Sequence, residues 1–429
     1  MRSNAYSADV VVVGGGISGV VSAITTARQG VRVVLIEKSS CLGGCATAGL
    51  LGEINGVSLH GKNVLPKIGQ EIIERLIQDG AGLLEANIPM TSNPEVRVDR
   101  FRYNGEYLKL VLDEMVEAEN IQVFLSCEVR SVREREDKIQ VEIGNAYETL
   151  QVEGALLIDS TGNSQCVYQL GGETKATKRE DLQASTVIFR MGGVDIERFL
   201  QIPMEEIQSI IRAGEAGGVL PAHILSMVRI PGTKDVAVNC TRLLRLDYES
   251  LEEVSQGYLQ LRKQIRRIVP FLKARVPGCE NAYLSNIAAA LGVRDCRRTV
   301  GLYELTGEDL VACRDFDDAV AVGVYPIDIH NSKKSGEAVS FQQIGGNGIY
   351  KIPYRCFVPR NLEHVLVNGK GLCADHKAFG AFRIMGPLIS IATAAGTAAA
   401  QVVTTGCRTR DVDISRLKER LRECGTIEI

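Results

Sequence analysis

Residues 14–19 read Gly14-Gly15-Gly16-Ile17-Ser18-Gly19 and stand between an apolar run at 10–13 and a helical stretch at 20–28. This triplet at G-x-G-x-x-G spacing constrains the fold more than any other feature. The first glycine permits a tight turn, the second lets a backbone approach a pyrophosphate, and the third lets a helix pack closely on a strand. Glycine-rich turns are common, so the context matters. Here a second apolar run, 31–36, ends in Glu37, 23 residues beyond Gly14. A carboxylate there can accept both hydroxyls of a ribose and repels a 2′-phosphate, so NAD or FAD is favoured over NADP. The alternative is a plain tight turn with no ligand. Strand, glycine turn, helix and strand form a βαβ unit, whose right-handed crossover sets the two strands side by side in a parallel sheet.

Further along, helical spacing of apolar residues predicts helices over 67–78 and 105–119, and a third buried strand over 121–125. Alternating charged segments at 127–133, 138–143 and 148–152 predict an antiparallel meander. A buried strand over 155–158 closes at Asp159-Ser160-Thr161-Gly162. From about 176 the pattern changes to strand-like runs at 186–190, 227–230 and 236–239, with a long amphipathic helix over 251–275. The run 364–368 is again a buried strand. The expected fold class is α/β, with a discontinuous dinucleotide-binding domain of Rossmann type, 1–175 and 346–429, which the resemblance given below makes an FAD-binding domain, and a mixed β-rich α+β substrate or cap domain inserted at 176–345.

Composition excludes several function classes. With a net charge of -3 in 429 residues, no field favours a phosphate polymer, so nucleic acid is not expected as a partner. The N-terminal apolar run is too short for a signal peptide. The uncharged stretch 384–407 could span a bilayer by length, but Ala, Gly, Thr and Ser dominate it, and it reads as a buried helix with no membrane partner. The twelve cysteines show no metal-ligand spacing, so no metal is expected, and a reduced cytoplasmic setting is the simplest reading.

Leu42-Gly43-Gly44 after Glu37 resembles the second glycine loop of glutathione-reductase-like FAD proteins, and Asp159-Ser160-Thr161-Gly162 resembles their "ATG" turn. Segments 42–49, 292–303, 325–331, 350–359 and 368–385 are similar, in order, to the bacterial family of FAD-dependent oxidoreductases. That resemblance covers nearly the whole chain and implies FAD as cofactor. It implies contacts from Gly14, Gly16, Ile17, Ser18, Gly19, Glu37, Lys38, Gly43, Gly44, Cys45, Ala46, Thr47, Val129, Thr161, Gly162, Gly369, Lys370, Arg383 and Met385. The chain departs from the family at Gly369-Lys370, where Gly-Arg is usual, and at Asp375-His376, where Thr-His is usual. Only one dinucleotide fingerprint is present, so reduced flavin must pass its electrons to oxygen, to a partner protein or to a nicotinamide bound transiently.

Several residues carry candidate chemistry. Arg294, Arg297 and Arg298, with Arg355 and Arg383, are a candidate clamp for a carboxylate or phosphate; the competing reading is a salt-bridged structural cluster. His376 and His330 lie in the family strings and are candidate proton acceptors, with Arg298 and Arg383 as catalytic partners. His60, His223 and His364 have no motif around them. Cys41 and Cys45 straddle the Gly43-Gly44 pair, whereas related disulfide reductases carry both cysteines after it; small thiols are therefore expected, with a redox pair as the rival. The function expected is an FAD-dependent dehydrogenase or oxidase that passes hydride from a small polar, anionic metabolite to the flavin. The alternatives are a flavin monooxygenase using NAD(P)H and oxygen, and a non-catalytic FAD-binding protein. A homo-oligomer is also open.

Overall fold

The computed structural model describes residues 5–91, 93–135, 138–295, 297–331 and 338–426. Four consecutive valines form the strand Val10–Val13, buried on both faces, as suits β-branched side chains inside a parallel sheet. In that sheet all five strands are parallel, in the order Val365–Val367, Leu156–Asp159, Val10–Val13, Val33–Ile36, Gln122–Phe124. The chain leaves Val10–Val13 toward one neighbour and returns much later to the other. The carboxyl end of this strand is therefore the switch point of the sheet, where α/β folds leave a crevice.

Alternate residues of these strands face different layers. Val10, Val12, Leu35 and Ile158 pack with the helices Ile17–Ala27, Gly105–Ala118 and Met385–Thr405. Val11, Val13, Val34 and Leu157 pack against Val132, Ile139, Val141 and Val152 of a second sheet. That sheet is the expected meander, Glu128–Arg135, Lys138–Gly144 and Thr149–Gly154, joined by Ala5–Ser7. The uncharged stretch near the C-terminus is the helix Met385–Thr405, the one helix among the described residues long and apolar enough to cross a membrane, and its apolar window is 83% buried inside the fold.

A separate core forms over 187–291, together with Leu50. It fills the space between the antiparallel sheet Ser226–Arg229, Val236–Asn239, Phe189–Gly192, Tyr283–Ile287 and the helices Met204–Ala216 and Leu251–Arg275. Ser250 caps the longer helix by accepting from the Glu253 amide at 3.2 Å. The interval 176–345 thus contributes to both cores, because Leu305, Leu310, Phe316 and Ile327 pack with the parallel sheet and its helices. A long hairpin, Gly82–Met90 with Asn93–Tyr103, pairs with Glu53–Asn55 in a three-stranded sheet.

The cofactor layer closes where Ile17–Ala27 crosses Met385–Thr405. Thr26 Oγ1 donates to the Gly396 carbonyl at 3.0 Å, and a Cβ on Gly396 would lie 2.5 Å from the Ser22 carbonyl oxygen. Gly396→Ala is therefore expected to cost roughly 1–3 kcal/mol, the usual cost of overpacking. The measurement is the urea midpoint, which should fall with an unchanged slope; an unaltered midpoint would show that the helices can move apart freely.

Candidate active site

The phosphate loop is shaped by backbone clearance. Gly14 has φ +103°, and a Cβ on it would lie 2.4 Å from the Ser160 carbonyl oxygen. A Cβ on Gly19 would lie 1.7 Å from the Gly14 carbonyl oxygen, so this position joins helix to strand and admits no side chain. Gly16 is different: a Cβ there meets nothing within 4 Å. Space is open beside Gly16, at the head of the helix Ile17–Ala27, where no side chain caps the first turn and no acid stands in it. Free amides over open space are what a pyrophosphate requires.

Glu37 is buried at the end of its strand, accepting from the Gly15 amide at 2.6 Å and from the Ser39 amide at 2.7 Å. Its remaining lone pairs are what a ribose would use. Lys38 beside it is exposed. The second glycine loop lies against the first: the Gly43 amide donates to Gly15 at 2.8 Å, and a Cβ on Gly44 would lie 3.1 Å from the Gly16 Cα. Thr47 Oγ1 donates to the Leu42 carbonyl and ties this loop, while Ala46 accepts from the Tyr103 hydroxyl at 3.0 Å. Cys45 is exposed on it, and Cys41 and Cys45 are both free thiols.

On the far side, Asp159 holds the turn that contains Thr161 and Gly162, accepting from the Thr161 hydroxyl at 2.6 Å and from the Cys166 amide at 2.9 Å. Asn368, fully buried, donates to the Ser18 carbonyl at 2.9 Å and accepts from the Gly369 amide at 2.6 Å. A Cβ on Gly369 would lie 3.2 Å from Ser18 Oγ, and Lys370 donates to the Val293 carbonyl at 2.9 Å. Met385 starts the long helix, and Val129 lies in the meander opposite Ile143. The segments at Gly43–Gly44, Ser160–Thr161 and Asn368–Gly369 are thus bonded or packed to the loop Gly14–Gly19, and the donor set and the clearance at Gly16 fit a dinucleotide. Gly16→Asp is expected to keep the native melting temperature of protein stripped of flavin but to purify colourless, because its side chain projects into open space that the pyrophosphate needs. Glu37→Ala is expected to weaken flavin binding at least about ten-fold, from the loss of charge-assisted hydrogen bonds, measured by flavin release on dilution.

The five candidate arginines do not converge. Arg297 pairs with Glu249 at 2.6 Å and lies over the Tyr168 ring, and Arg355 pairs with Asp318 at 2.9 Å. Arg298 is buried, tied to Asp295 at 3.3 Å and to the Ala374 carbonyl at 3.1 Å, over the Phe379 ring. Arg294 donates to the Ala184 carbonyl at 2.5 Å and feels the charges of Arg383 and Asp328, while Arg383 stands directly against Asp328. Arg383 donates to the Asp328 carbonyl at 3.0 Å and stands 3.5 Å from its carboxylate, and its Nε has no hydrogen-bond partner. His330 Nε2 is 3.6 Å from Asp328 Oδ1. Burial and the nearby Arg383 push the Arg294 guanidinium down to about 9. Burial and the charges of Arg294, Arg383 and Arg242 hold His330 well below its ordinary value, and burial raises Asp328.

His376 occupies a neighbouring station, 3.6 Å from Asp295. Burial alone would raise Asp295, but His376, the Gln183 amide and Arg298 outweigh it and hold the carboxyl at about 2. Gln183 links the two stations: its backbone amide donates to Asp295 at 2.9 Å, and its side-chain Oε1 accepts from the His330 backbone amide at 3.0 Å. Sequence reasoning did not find Gln183, Arg242, Asn368 or Asp328. Only Asp328 had a readable signal, since it stands two residues before His330 on one strand and so shares its face.

No curated protein matches the chain. Among solved structures, it is similar to a geranylgeranyl bacteriochlorophyll reductase-like protein from Thermoplasma acidophilum, with 13% identity and a TM-score of 0.52, covering 98% of this chain and 84% of that one. A p-nitrophenol 4-monooxygenase from Pseudomonas putida is similar at 12% identity and TM-score 0.48, covering 97% and 81%. A flavoprotein/dehydrogenase from Cytophaga hutchinsonii is similar at 12% and 0.46, covering 97% and 83%. At these identities the first neighbour carries a shared fold alone. Residues 9–421 match the family described as FAD dependent oxidoreductase, and with the glycine trough built to hold a dinucleotide the chain belongs to that family and is an FAD-dependent oxidoreductase.

Proposed function

We propose that this enzyme oxidises a small anionic metabolite held by Arg294 and Arg383, with His330 as the proton acceptor, on an FAD layer of the glutathione-reductase-like Rossmann type with an inserted substrate layer. One observation carries the reading: Arg383 stands 3.5 Å from the Asp328 carboxylate with its Nε unpartnered, His330 stands 3.6 Å from the same carboxylate, and Arg294, Arg383 and Arg242 all act on that ring. A positive surplus in a desolvated place is relieved by an anion, and a guanidinium fork suits a carboxylate. When bound, FAD supplies the two-electron oxidant. Arg383 and Arg294 fix the acid group and so orient the carbon to be oxidised. With Nε2 turned to Asp328, Nδ1 is the ring nitrogen left to take a proton from the substrate. The same arginines that bind the acid keep that imidazole neutral, and bound substrate would partly offset them.

Anaerobic mixing of the yellow enzyme with a panel of carboxylic acids should bleach the flavin without added nicotinamide. Bleaching by NAD(P)H alone would turn the reading to monooxygenation. His330→Gln is expected to slow bleaching roughly 10²–10⁴-fold, as for loss of a general base. Because positive neighbours lower the His330 pKa, the acid limb of kcat/KM should lie well below pH 6.5, and Arg294→Gln should move it to higher pH. A limb that stays in place would remove His330 from the mechanism.

A further inference from the structure

Away from the glycine loops, four helices leave a cavity of about 550 Å³ between them. Its walls are the carboxyl end of Ile17–Ala27, the amino end of Lys67–Gln78, the second half of Met385–Thr405 and the closing helix Ile414–Glu423. The volume is that of a site for a small metabolite. At 1.5 Å per residue, the end of Ile17–Ala27 that borders it lies about 16 Å from the phosphate loop, so this is a second place in the molecule.

The charges around the cavity do not cancel. Arg28 is answered by Glu71 at 2.8 Å and Glu119 at 2.7 Å, and Arg420 by Glu423 at 2.9 Å. Lys67 and Arg416 also line it, and among the described residues neither side chain has an ion-pair partner. They border the same space. Arg416, Arg420 and Cys424 follow at four-residue steps on one face of the closing helix, and the Lys67 amide donates to the Cys424 carbonyl at 2.9 Å. Deeper in the wall, Gln401 is only 7% exposed. Its Nε2 is committed to the Asp413 carbonyl at 3.0 Å, which fixes the amide and leaves Oε1 without a hydrogen-bond partner. A buried side-chain oxygen rarely goes unpaired, so this one is an acceptor for an O–H or N–H that enters the cavity. Ile68 and Ala400 supply apolar wall beside it.

We propose that this cavity is a second ligand site and that it takes a phosphate monoester. The phosphoryl group lies toward Lys67 and Arg416, and a hydroxyl or amino group of the organic part donates to Gln401 Oε1. A phosphoryl group carries about −1.5 to −2 charge at pH 7, which suits two unanswered cations better than one carboxylate does. Inorganic phosphate would meet the cations and leave Gln401 unmet, so the organic part is the basis of selection.

Isothermal titration of the FAD-loaded enzyme, whose flavin fills the glycine loops, tests this with glucose 6-phosphate and AMP, their dephosphorylated counterparts glucose and adenosine, and inorganic phosphate. One ester is expected to bind at least about ten-fold tighter than both its counterpart and inorganic phosphate, the scale of one charge-assisted contact. Lys67→Gln and Arg416→Gln, at exposed positions outside the core, should each weaken that ester about ten-fold. Gln401→Met should weaken the ester and leave inorganic phosphate unchanged. The proposal is overturned if neither ester exceeds both its counterpart and inorganic phosphate. It is equally overturned if the ester binds undiminished to both Lys67→Gln and Arg416→Gln, which would place the binding elsewhere on the enzyme.

Discussion

The contact between Gly19 and the Gly14 carbonyl sets the geometry of the cofactor layer. Since a Cβ at Gly19 would overlap that oxygen at 1.7 Å, the helix Ile17–Ala27 lies as close to the sheet as a helix can. Its amino end is thereby brought over the sheet's switch point, and its uncapped amides are aimed at one place. Everything else in the trough is built on that fixed end: Glu37 is bonded to Gly15, Gly43 to Gly15, and Asn368 to Ser18. A helix held one side chain farther out would break each of these contacts at once.

What was legible in the sequence follows from whether the signal was local. The βαβ start, the meander, the helix Leu251–Arg275 and the closing strand near 365 are written in runs of neighbouring residues, and they stand close to where the periodicity places them. The hairpin Gly82–Tyr103 was not read, because Pro89, Pro94 and scattered charges interrupt its alternation. The arginines show the same limit more sharply. Arg294 and Arg298 share one string and one residue type, yet Asp295 and the Phe379 ring hold Arg298 while Arg294 stands among other cations. Only the tertiary partner decides between a clamp and a strut. Arg190 had no motif at all, and only the fold leaves its buried Nε and Nη2 without a hydrogen-bond partner.

The two histidine stations differ by electrostatics rather than by residue type. Beside His376 the carboxylate of Asp295 is kept charged by donors on several sides, which makes a stable ion-pair platform. Beside His330 burial disfavours the carboxylate of Asp328, and burial with the charges of Arg294, Arg383 and Arg242 disfavours the protonated imidazole. Gln183 bonds to the Asp295 carboxylate and to the His330 backbone amide, so one residue braces both stations.

The crossing of Ile17–Ala27 and Met385–Thr405 also bears on how the chain is born. Thr26 and Gly396, bonded to one another, are 370 residues apart, and the strand Val365–Val367 that completes the parallel sheet emerges almost as late. Contacts of such separation carry a large loop-closure cost and form slowly. During synthesis the valine strand has both its neighbours once residue 159 is out, whereas the outer edge of Leu156–Asp159 must wait, apolar and unpaired, until nearly the whole chain has left the ribosome. The core over 187–291 depends on that late segment much less. The core over 187–291 should then form first, and the completed parallel sheet with its glycine loops last.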